Sequence, residues 1–477
     1  MPLKLPSWLS LLIAFAATGG APATPAAAQE VQAGWALVDI TPPLGYRMSG
    51  YFRERRATGI KDPLHAKAIV LKQDDVTVAL VFCDLIGVPW YVSRATRRAI
   101  EDRYGIPPER CSVMATHTHT GPLYFGAIRE LLHRQAIEKH GRDPAEPVDY
   151  AAFLEERIVE AVGKALDRLR PVRLRVATVK QEPQISFNRR FYMKNGTVRF
   201  NPGQLNPNIV RPAGPIDPEV NVLVFDDPTD GRPLGALTVF AMHLDTVGGT
   251  EYSADYPYHL EVALRRRYGE GFVSFFGTGT CGDINHIDVT VRGRRSAQEL
   301  GELLAGSVSR AIKAARPVDA PSLATAHRVV RVPLQHYSQA EIEEARRQYP
   351  NIVSRSLPFL ERVRIYKIMA LQWRGGDSID LEVHAFRIGH DTAIVTLPGE
   401  VFVDLGLQIK RASPFKHTFV IELANDAPGY IPTEKAFREG SYETVNSRIA
   451  PGGGERLAAS ALEALRSLAD TAGDSTR

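Results

Sequence analysis

Hydrophobic and polar positions follow two different periods along this chain, and together they predict both strands and helices. Over residues 149–169 the apolar positions recur at three- and four-residue steps, which is the period of an amphipathic helix. Residues 76–84 instead form a short apolar run after a polar turn at 73–75, which indicates a strand. Similar runs predict strands at 66–72, 111–116, 172–179, 220–225, 237–242, 272–276, 323–332, 381–388, 392–397 and 417–423.

Further helical patterns alternate with these strands. They begin at candidate capping residues or end near Gly and Pro, and they predict helices at 93–104, 296–315, 338–348, 401–410 and 455–469. Strands and helices mix without a strict βαβ repeat, and no internal repeat is visible. The pattern predicts an α/β fold of mixed α+β layers rather than a Rossmann sheet or a barrel. The tract 201–215 holds four prolines and two glycines, so we expect a long surface loop there.

The N-terminus has the pattern of a secretory signal peptide. Lys4 precedes a nearly unbroken apolar run at 8–17, and a small-residue tract ends at Ala28. The run is shorter than the roughly 20 residues that span a bilayer, so cleavage after Ala28 is favoured over a retained anchor. We expect a signal peptide at 1–28 and one exported domain at 29–477, in the periplasm or the medium, without a transmembrane segment and with peripheral membrane contact left open.

Composition and charge narrow the function classes. The chain is 44% hydrophobic, which allows a substantial core, and its net charge of +4 over 477 residues does not indicate a nucleic-acid partner. Only three cysteines occur, Cys83, Cys111 and Cys281. This number is odd and sparse, so a disulfide framework is not expected.

Two histidines follow the predicted strand at 111–116. Residues two apart on an extended chain face the same side, so His117 and His119 can face one point while Gly121-Pro122 turns the chain away. Paired imidazoles at a strand end are a frequent metal-binding arrangement, although a structural role explains such a pair equally well.

Three other polar residues stand at comparable places. His243 follows the strand at 237–242, Glu400 follows Pro-Gly before a predicted helix, and Tyr430 lies in a Gly/Pro loop. Each has an ordinary explanation: a satisfied hydrogen-bonding group, a carboxylate at a helix N-terminus, or a packing residue. Their shared position at strand exits favours one common site, because functional residues collect on loops held by a rigid sheet.

At these blocks the chain resembles the neutral, non-lysosomal ceramidase family. The closest block is Thr-His-Thr-His-Thr-Gly-Pro at 116–122, and Tyr430 and Tyr442 keep the twelve-residue separation of two site tyrosines in that family. His65 stands where many relatives carry tyrosine. The other similar blocks are 34–43, 58–68, 188–189, 216–220, 240–243 and 397–400.

The resemblance implies a mononuclear zinc enzyme in which an activated water attacks an acyl carbon. It implies that one zinc per chain is held by His117, His243, Glu400 and Tyr430. It further implies that His119 orients substrate or water, that Arg189 faces the polar head of the substrate, and that Tyr442 donates to the developing oxyanion.

Two departures from the family pattern bear on the activity. At 282–287 the chain reads Gly-Asp-Ile-Asn-His-Ile, so Asn285 replaces the family serine and His286 adds an imidazole that can act as a base or as another ligand. An amide is no nucleophile, although it can hydrogen-bond a substrate. The family also carries a C-terminal β-sandwich domain, and because this chain stops at Arg477 we expect the catalytic domain alone.

The expected function is therefore that of an exported zinc-dependent amidohydrolase. Its substrate would be an acyl-bearing lipid or small molecule, such as an N-acyl lipid of sphingolipid metabolism. Two alternatives stay open because of Asn285: a zinc-dependent esterase or lactonase on the same fold, and a non-catalytic exported binding protein derived from it.

Overall fold

The computed structural model describes residue 1, residues 30–354 and residues 356–474, with side chains described as far as residue 470. The predicted signal peptide, apart from Met1, lies outside the described residues. Within the described part, none of the helices combines the length and the apolar character needed to cross a bilayer.

The strands are short to medium in length and are distributed over the whole described chain. In chain order they are β1 (Gln32–Asp39), β2 (Gly59–Ile60), β3 (His65–Gln73), β4 (Val76–Cys83), β5 (Cys111–Ala115), β6 (Arg170–Pro171), β7 (Arg173–Lys180), β8 (Phe187–Asn188), β9 (Arg190–Met193), β10 (Val198–Phe200), β11 (Ile209–Pro212), β12 (Glu219–Asp226), β13 (Pro233–Phe240), β14 (Glu251–Tyr252), β15 (Val273–Thr278), β16 (Ile284–Asn285), β17 (Arg316–Pro317), β18 (Ala324–Pro333), β19 (Ser378–Gly389), β20 (Thr392–Thr396), β21 (Glu400–Val401), β22 (His417–Ile421) and β23 (Tyr430–Ile431).

The α-helices lie between and after these strands. They are α1 (Trp90–Tyr104), α2 (Ala127–His140), α3 (Tyr150–Leu166), α4 (Tyr256–Tyr268), α5 (Ala297–Ala314), α6 (Gln339–Gln348), α7 (Phe359–Arg374), α8 (Val403–Ala412), α9 (Glu434–Glu439), α10 (Tyr442–Asn446) and α11 (Gly453–Asp474).

Three large sheets share one strand pattern. In the first sheet β1, β3 and β4 pair antiparallel and β4 pairs parallel with β5. The same order, two antiparallel pairs and then one parallel pair, recurs in β7-β12-β13-β15 and in β18-β19-β20-β22. Each parallel pair is connected through a helix, which is α1, α4 or α8. The described chain is therefore three similar β-β-β-α-β units, a repeat that its hydrophobic pattern does not reveal.

The inner faces of the three sheets pack against one another. A single buried cluster contains Leu80 of the first unit, Leu237 and Phe275 of the second, and Phe386 and Phe419 of the third. The outer face of each sheet is covered by its own pair of helices: α1 and α3, α4 and α5, or α8 and α11. Because both faces are buried, the strands read as continuous apolar runs rather than alternating ones.

The ends of the last strands are joined by hydrogen bonds that link all three units. The Thr278 hydroxyl donates to the Thr116 carbonyl at 2.8 Å, and the Glu422 amide donates to the Thr278 carbonyl at 2.9 Å. The Ala115 amide donates to the Leu423 carbonyl at 3.1 Å. These bonds hold the exits of β5, β15 and β22 side by side, so that residues just beyond them share one space.

Helices α2, α6 and α7 form a separate cap. Their own apolar cluster includes Leu131, Ala345 and Ile368, and Phe52 and Leu123 pack against it. The cap is inserted into the first and third units, between β5 and α3 and between β18 and β19. It covers one side of the strand exits.

The predicted mixed α+β fold is confirmed, as are the main strands. The predicted cap at Ser296 is confirmed, and Ser338, where another predicted helix begins, also forms a reciprocal capping box with a glutamate. Helices α2, α4 and α7 were not predicted. The buried residues of α7 do not follow a single stripe, and the buried stripe of α4 includes the charged Glu261, whereas the stripe of α2 was missed. The predicted helix at 401–410 begins later, at Val403, and the predicted loop at 201–215 contains β11, which pairs with β9. The three cysteines are buried free thiols.

The shared core predicts that two leucines differ strongly in their contribution to the free energy of unfolding. Leu237→Ala should lower the free energy of unfolding by about 2–5 kcal/mol, because Leu237 is fully buried among all three sheets. Leu44→Ala, at a leucine that is 55% exposed, should change it by less than about 0.5 kcal/mol. Denaturant unfolding of both variants measures this, and equal losses would contradict a common core.

Candidate functional site

His117 is placed by a change of backbone direction at the end of β5. Its φ of 80° takes it out of the extended conformation, and its amide donates to the Leu85 carbonyl at 2.8 Å. Its ring nitrogen Nδ1 lies 2.8 Å from the Ile86 carbonyl oxygen. His117 and His119 do face the same point, as expected. The cause is the turn at His117 and not the alternation of side chains along an extended strand.

His243 and Glu400 reach the same place from the other two units. His243 follows β13, and its Nδ1 lies 3.0 Å from the Cys281 carbonyl oxygen. Glu400 begins β21, which pairs parallel with β23, so that Glu400 and Tyr430 are register partners. The helix-terminal explanation for Glu400 is therefore wrong: the carboxylate stands on a two-residue strand.

Three side-chain atoms form a small triangle. His117 Nε2 lies 3.1 Å from His243 Nε2, 3.4 Å from Glu400 Oε2, and His243 Nε2 lies 3.5 Å from the same oxygen. In a tetrahedral zinc site with ligand bonds of about 2.0–2.1 Å, neighbouring ligand atoms lie roughly 3.3–3.4 Å apart. The triangle thus has the dimensions of one face of such a site.

The protonation pattern also favours a cation. A carbonyl oxygen only accepts, so Nδ1 of both His117 and His243 carries the proton and each neutral ring turns an Nε2 lone pair inward. Two lone pairs then face each other at 3.1 Å beside a buried Glu400 oxygen that has no hydrogen-bond partner. A shared cation removes both the repulsion and the unsatisfied oxygen, so these residues fit a metal.

Burial and nearby charges set the protonation states of Glu400 and His243. Burial alone would raise the pKa of the Glu400 carboxyl, but the imidazoles of His117 and His243 bring it well below its usual value. Burial, with nearby Arg189, lowers the pKa of His243. The Glu400 carboxylate is therefore ionised at neutral pH, and burial favours the neutral form of His243.

His119 stands at the edge of the triangle. Its Nε2 lies 3.4 Å from His117 Nε2, and its ring packs edge-on against Tyr51. Burial, together with His117, lowers the pKa of His119 to about 3. The ring is therefore neutral at neutral pH, and one of its nitrogens can accept a hydrogen bond beside the ligand set.

Tyr430 is oriented by Arg189, which is itself held by Glu443. The guanidinium of Arg189 donates to the Tyr430 hydroxyl at 3.0 Å, to the Gly282 carbonyl at 2.7 Å and to Glu443 at 2.9 Å. Its Nη1 also lies 3.2 Å from His243 Nε2, a contact that a metal would replace. Arg189 is buried and does not line the cavity, so its contacts are those of a residue that positions ligands.

Tyr442 sits in a stack of aromatic rings near the ligands. Its ring lies 4.6 Å from Phe200 and 5.4 Å from Phe359, both near-parallel, and 5.4 Å from Tyr430 at a steep angle. Burial raises the pKa of the Tyr442 hydroxyl, so that it stays protonated and can donate. Phe200 and Phe359 lie 6.0 Å from each other, so the three rings form one cluster, and the Tyr442 hydroxyl accepts from the Asn446 side chain at 3.3 Å.

A cavity of about 150 Å³ opens directly onto these groups. His117, His119, Glu400, Tyr430 and Tyr442 form its polar wall. The opposite side is mainly apolar and comes from the cap and nearby loops, with lining residues that include Phe52, Ile86, Leu123, Phe125 and Ile128. Such a pocket suits an apolar substrate with one reactive polar group.

Asn285 and His286 lie outside the cavity wall. The Asn285 side chain donates to Asn201 at 2.8 Å and accepts from the Ile287 amide at 3.0 Å. His286 Nδ1 lies 3.1 Å from Asp245, whose charge in turn acts on His119. These contacts place Asn285 in a loop-stabilising position and connect His286 to the site through Asp245; their predicted catalytic roles stay predictions.

Two other groups have the composition of metal sites, but their carboxylates are already paired. Among the described residues these are His327 with Glu382 and His384, and His133 with Asp143 and Glu146. Arg97 pairs with Glu382 at 2.7 Å, and Arg47 and Arg129 pair with the acids of the second group. No described arginine pairs with Glu400 in this way, which distinguishes the triangle.

Sequence reasoning missed the partners that fix the ligands. The Ile86 and Cys281 carbonyls have no sequence signal, because backbone carbonyls are present at every position. Glu443, buried beside Tyr442 and paired with both Arg189 and Arg190, could have been suspected from the Asn-Arg-Arg run at 188–190. Burial of two adjacent arginines requires an anion, and Glu443 supplies it.

Comparison with known proteins identifies a matching family and similar structures among the neutral ceramidases. The family description "neutral/alkaline non-lysosomal ceramidase, N-terminal" matches residues 31–285. A neutral ceramidase from Pseudomonas aeruginosa is similar in structure, with a TM-score of 0.70 and 19% identity over 93% of this chain and 75% of that chain. A ceramidase complexed with C2 is similar at a TM-score of 0.68 and 18% identity, over 93% and 76%. No curated protein sequence matches this chain significantly.

The triangle predicts that Glu400 contributes to metal affinity. Glu400→Gln should weaken zinc binding by more than roughly tenfold, since even the loss of a residue that only supports a ligand costs about 10–100-fold. Glu463→Gln, at an exposed glutamate of α11, should leave affinity unchanged. Competition titration with a chelating dye measures both, and unchanged affinity in the Glu400 variant would exclude it as a ligand.

Proposed function

Because this chain belongs to the neutral/alkaline non-lysosomal ceramidase family, we propose that it is an exported zinc-dependent hydrolase that cleaves the amide bond of an N-acyl lipid or a related N-acyl compound. Family and fold support a ceramidase-like hydrolase. Zinc, export and the N-acyl substrate are the finer parts of the proposal. The N-terminal pattern supports export, and it predicts that the mature protein starts at Gln29.

The observation that carries the proposal is the triangle of His117, His243 and Glu400 at the wall of an apolar cavity. Tyr430, the register partner of Glu400, would complete the ligand set. When bound, zinc supplies a Lewis acid that polarises a carbonyl and lowers the pKa of a water to about 7.

The residues around the triangle would bind the substrate, stabilise the oxyanion and transfer the proton. The apolar wall excludes bulk water and holds the acyl chain, which strengthens every charge interaction inside. Tyr442 would donate its hydroxyl proton in a hydrogen bond to the oxygen that becomes negative. His119 would orient the attacking water and pass its proton on to the leaving nitrogen, so that one water yields a carboxylic acid and an amine.

An esterase or lactonase is the second candidate. It is favoured by Asn285, which stands where the family has serine and whose side chain is engaged by Asn201 and the Ile287 amide. Parallel assays on an amide and an ester with the same acyl chain separate the two. Zinc binding without turnover of either would instead support the exported binding protein.

Removal of one ligand tests the zinc proposal. The purified protein should hold about one zinc per chain, and His117→Ala should lose metal and hydrolysis together. His140→Ala, at an exposed histidine that ends α2, should keep both. Elemental analysis and an assay with and without chelator measure this, and full zinc retention in the His117 variant would refute the ligand assignment.

The role of Tyr442 is tested by removing only its hydroxyl. Tyr442→Phe should keep the ring stack but lower kcat by roughly 100- to 1,000-fold with little change in KM, because the hydrogen bond would form mainly in the transition state. Tyr91→Phe, at an exposed tyrosine of α1, is the control. A variant with normal kcat and raised KM would instead make Tyr442 a substrate-packing residue.

A further inference from the structure

One wall of the cavity carries a guanidinium that no described carboxylate neutralises. Arg448 lines the same cavity as Glu400 and Tyr430. Its Nη2 donates to the Tyr366 hydroxyl at 3.1 Å and its Nη1 to the Ala427 carbonyl at 3.4 Å. Both partners are neutral. A guanidinium has five N–H donors, so most of the hydrogen-bonding capacity of Arg448 is available to a ligand.

The position of Arg448 is built by the fold and does not depend on a flexible side chain alone. Its carbonyl accepts from the Gln335 amide at 2.9 Å, and the preceding Ser447 hydroxyl donates to the Tyr430 carbonyl at 2.9 Å. Its guanidinium lies 5.6 Å from the centre of the Tyr366 ring. The segment that supplies Tyr442 therefore also fixes Arg448 on the cavity wall.

The Arg448 guanidinium also lies close to the loop before β23. Gly429 has a φ of +88°, and a Cβ at this position would lie 3.0 Å from Arg448 Nη1. Only glycine combines that conformation with that space. The guanidinium thus rests against the loop that presents Tyr430.

Two further cations near the cavity also lack a described carboxylate partner. Arg55 is buried behind His119 and donates to the His119 carbonyl at 2.7 Å and the Gly249 carbonyl at 2.7 Å. Burial lowers the pKa of Arg55 to about 10, which still leaves it charged at neutral pH. Lys367 is a buried residue of the cap helix α7, and it donates to the Gln335 side chain at 2.9 Å.

Arg448 and Glu400 are the charged arginine and carboxylate that line the cavity, and they form no ion pair with each other. Glu400 is the one acidic residue that lines it within the described part of the chain, and its charge is directed at the ligand triangle. Arg189, the other arginine close by, is already paired with Glu443. An uncharged substrate would displace water from the Arg448 guanidinium without supplying an anion in its place. This would weaken binding, because burial of a cation without a partner costs free energy.

We propose that the substrate carries a carboxylate, as an N-acyl amino acid does, and that this carboxylate pairs with Arg448 while the amide lies at the ligand triangle. This inference rests on the proposed function and specifies its substrate class. A guanidinium binds a carboxylate through two parallel hydrogen bonds, which orients as well as attracts it. Hydrolysis adds one water across the C–N bond and releases a fatty acid and an amino acid.

The size of the cavity agrees with this substrate class. Its volume of about 150 Å³ lies below the roughly 300–1,000 Å³ of pockets that enclose a whole drug-sized ligand. It has room for the groups around the scissile bond and for a small charged head. A single acyl chain would then extend along the apolar side that Phe52, Phe125 and Ile128 provide.

The test compares two substrates that differ only in charge. N-lauroylglycine and its neutral analogue N-lauroylglycinamide are each assayed for kcat/KM and for binding by calorimetry with the zinc-loaded protein. Wild type should prefer the anion by roughly 10- to 100-fold, the range expected for a charge-assisted hydrogen bond. Arg448→Met should abolish the preference by weakening only the anion, and Arg448→Lys should restore part of it.

Control variants separate a charge contact from a change in fold. Arg466→Met removes an exposed arginine of α11 and should leave both substrates unaffected. Equal losses for both substrates in Arg448→Met, or no preference in wild type, would overturn the inference while leaving the hydrolase proposal intact. Selective binding of the anion through Arg448 without turnover would support the inference and refute the hydrolase.

Discussion

His117, His243 and Glu400 meet because three sheets from distant parts of the chain share one apolar core. The strand exits are then joined by hydrogen bonds to backbone carbonyls, from the Thr278 hydroxyl to Thr116 and from the Glu422 amide to Thr278. Each unit contributes at least one group to the triangle, so no unit alone contains the site. The geometry of the ligands depends on the packing of sheets whose residues lie far from them, and a loosened core would move the ligands apart.

The site holds groups that oppose folding. Two imidazole lone pairs face each other, and a buried carboxylate oxygen lacks a partner. These costs are tolerated because the surrounding sheets and the Arg189–Glu443 pair over-determine the positions of the side chains. A ligand that binds only the folded state would relieve them and stabilise the protein according to its concentration and affinity. The cap adds the apolar side of the cavity, so that chemistry and substrate recognition come from different parts of the fold.

Much of the fold and part of the site follow from local patterns. Apolar runs identify the buried strands, and Ser296 and Ser338 mark helix starts, because both signals act within a few residues. The ligand residues stand out as polar side chains just after apolar strands. Asn285 and His286 were instead predicted from the family resemblance at 282–287, and they lie outside the cavity wall, because a sequence block does not tell which side chains of a turn face inward.

What could not be predicted depends on contacts between distant segments. Pairing of β21 with β23 replaces the expected helix start at Glu400, and this pairing is invisible in either segment alone. Helix α7 buries residues on several sides, which removes the amphipathic stripe. The same holds for Arg448, an ordinary arginine in the sequence whose importance appears only when its neighbours prove to be neutral.

The most direct test of the central claim is anomalous X-ray diffraction from zinc-loaded crystals on either side of the zinc absorption edge. The account predicts one strong peak within bonding distance, about 2.0–2.2 Å, of His117 Nε2, His243 Nε2 and Glu400 Oε2. A zinc peak at His327, Glu382 and His384 instead, or none at the triangle at full zinc loading, would contradict it.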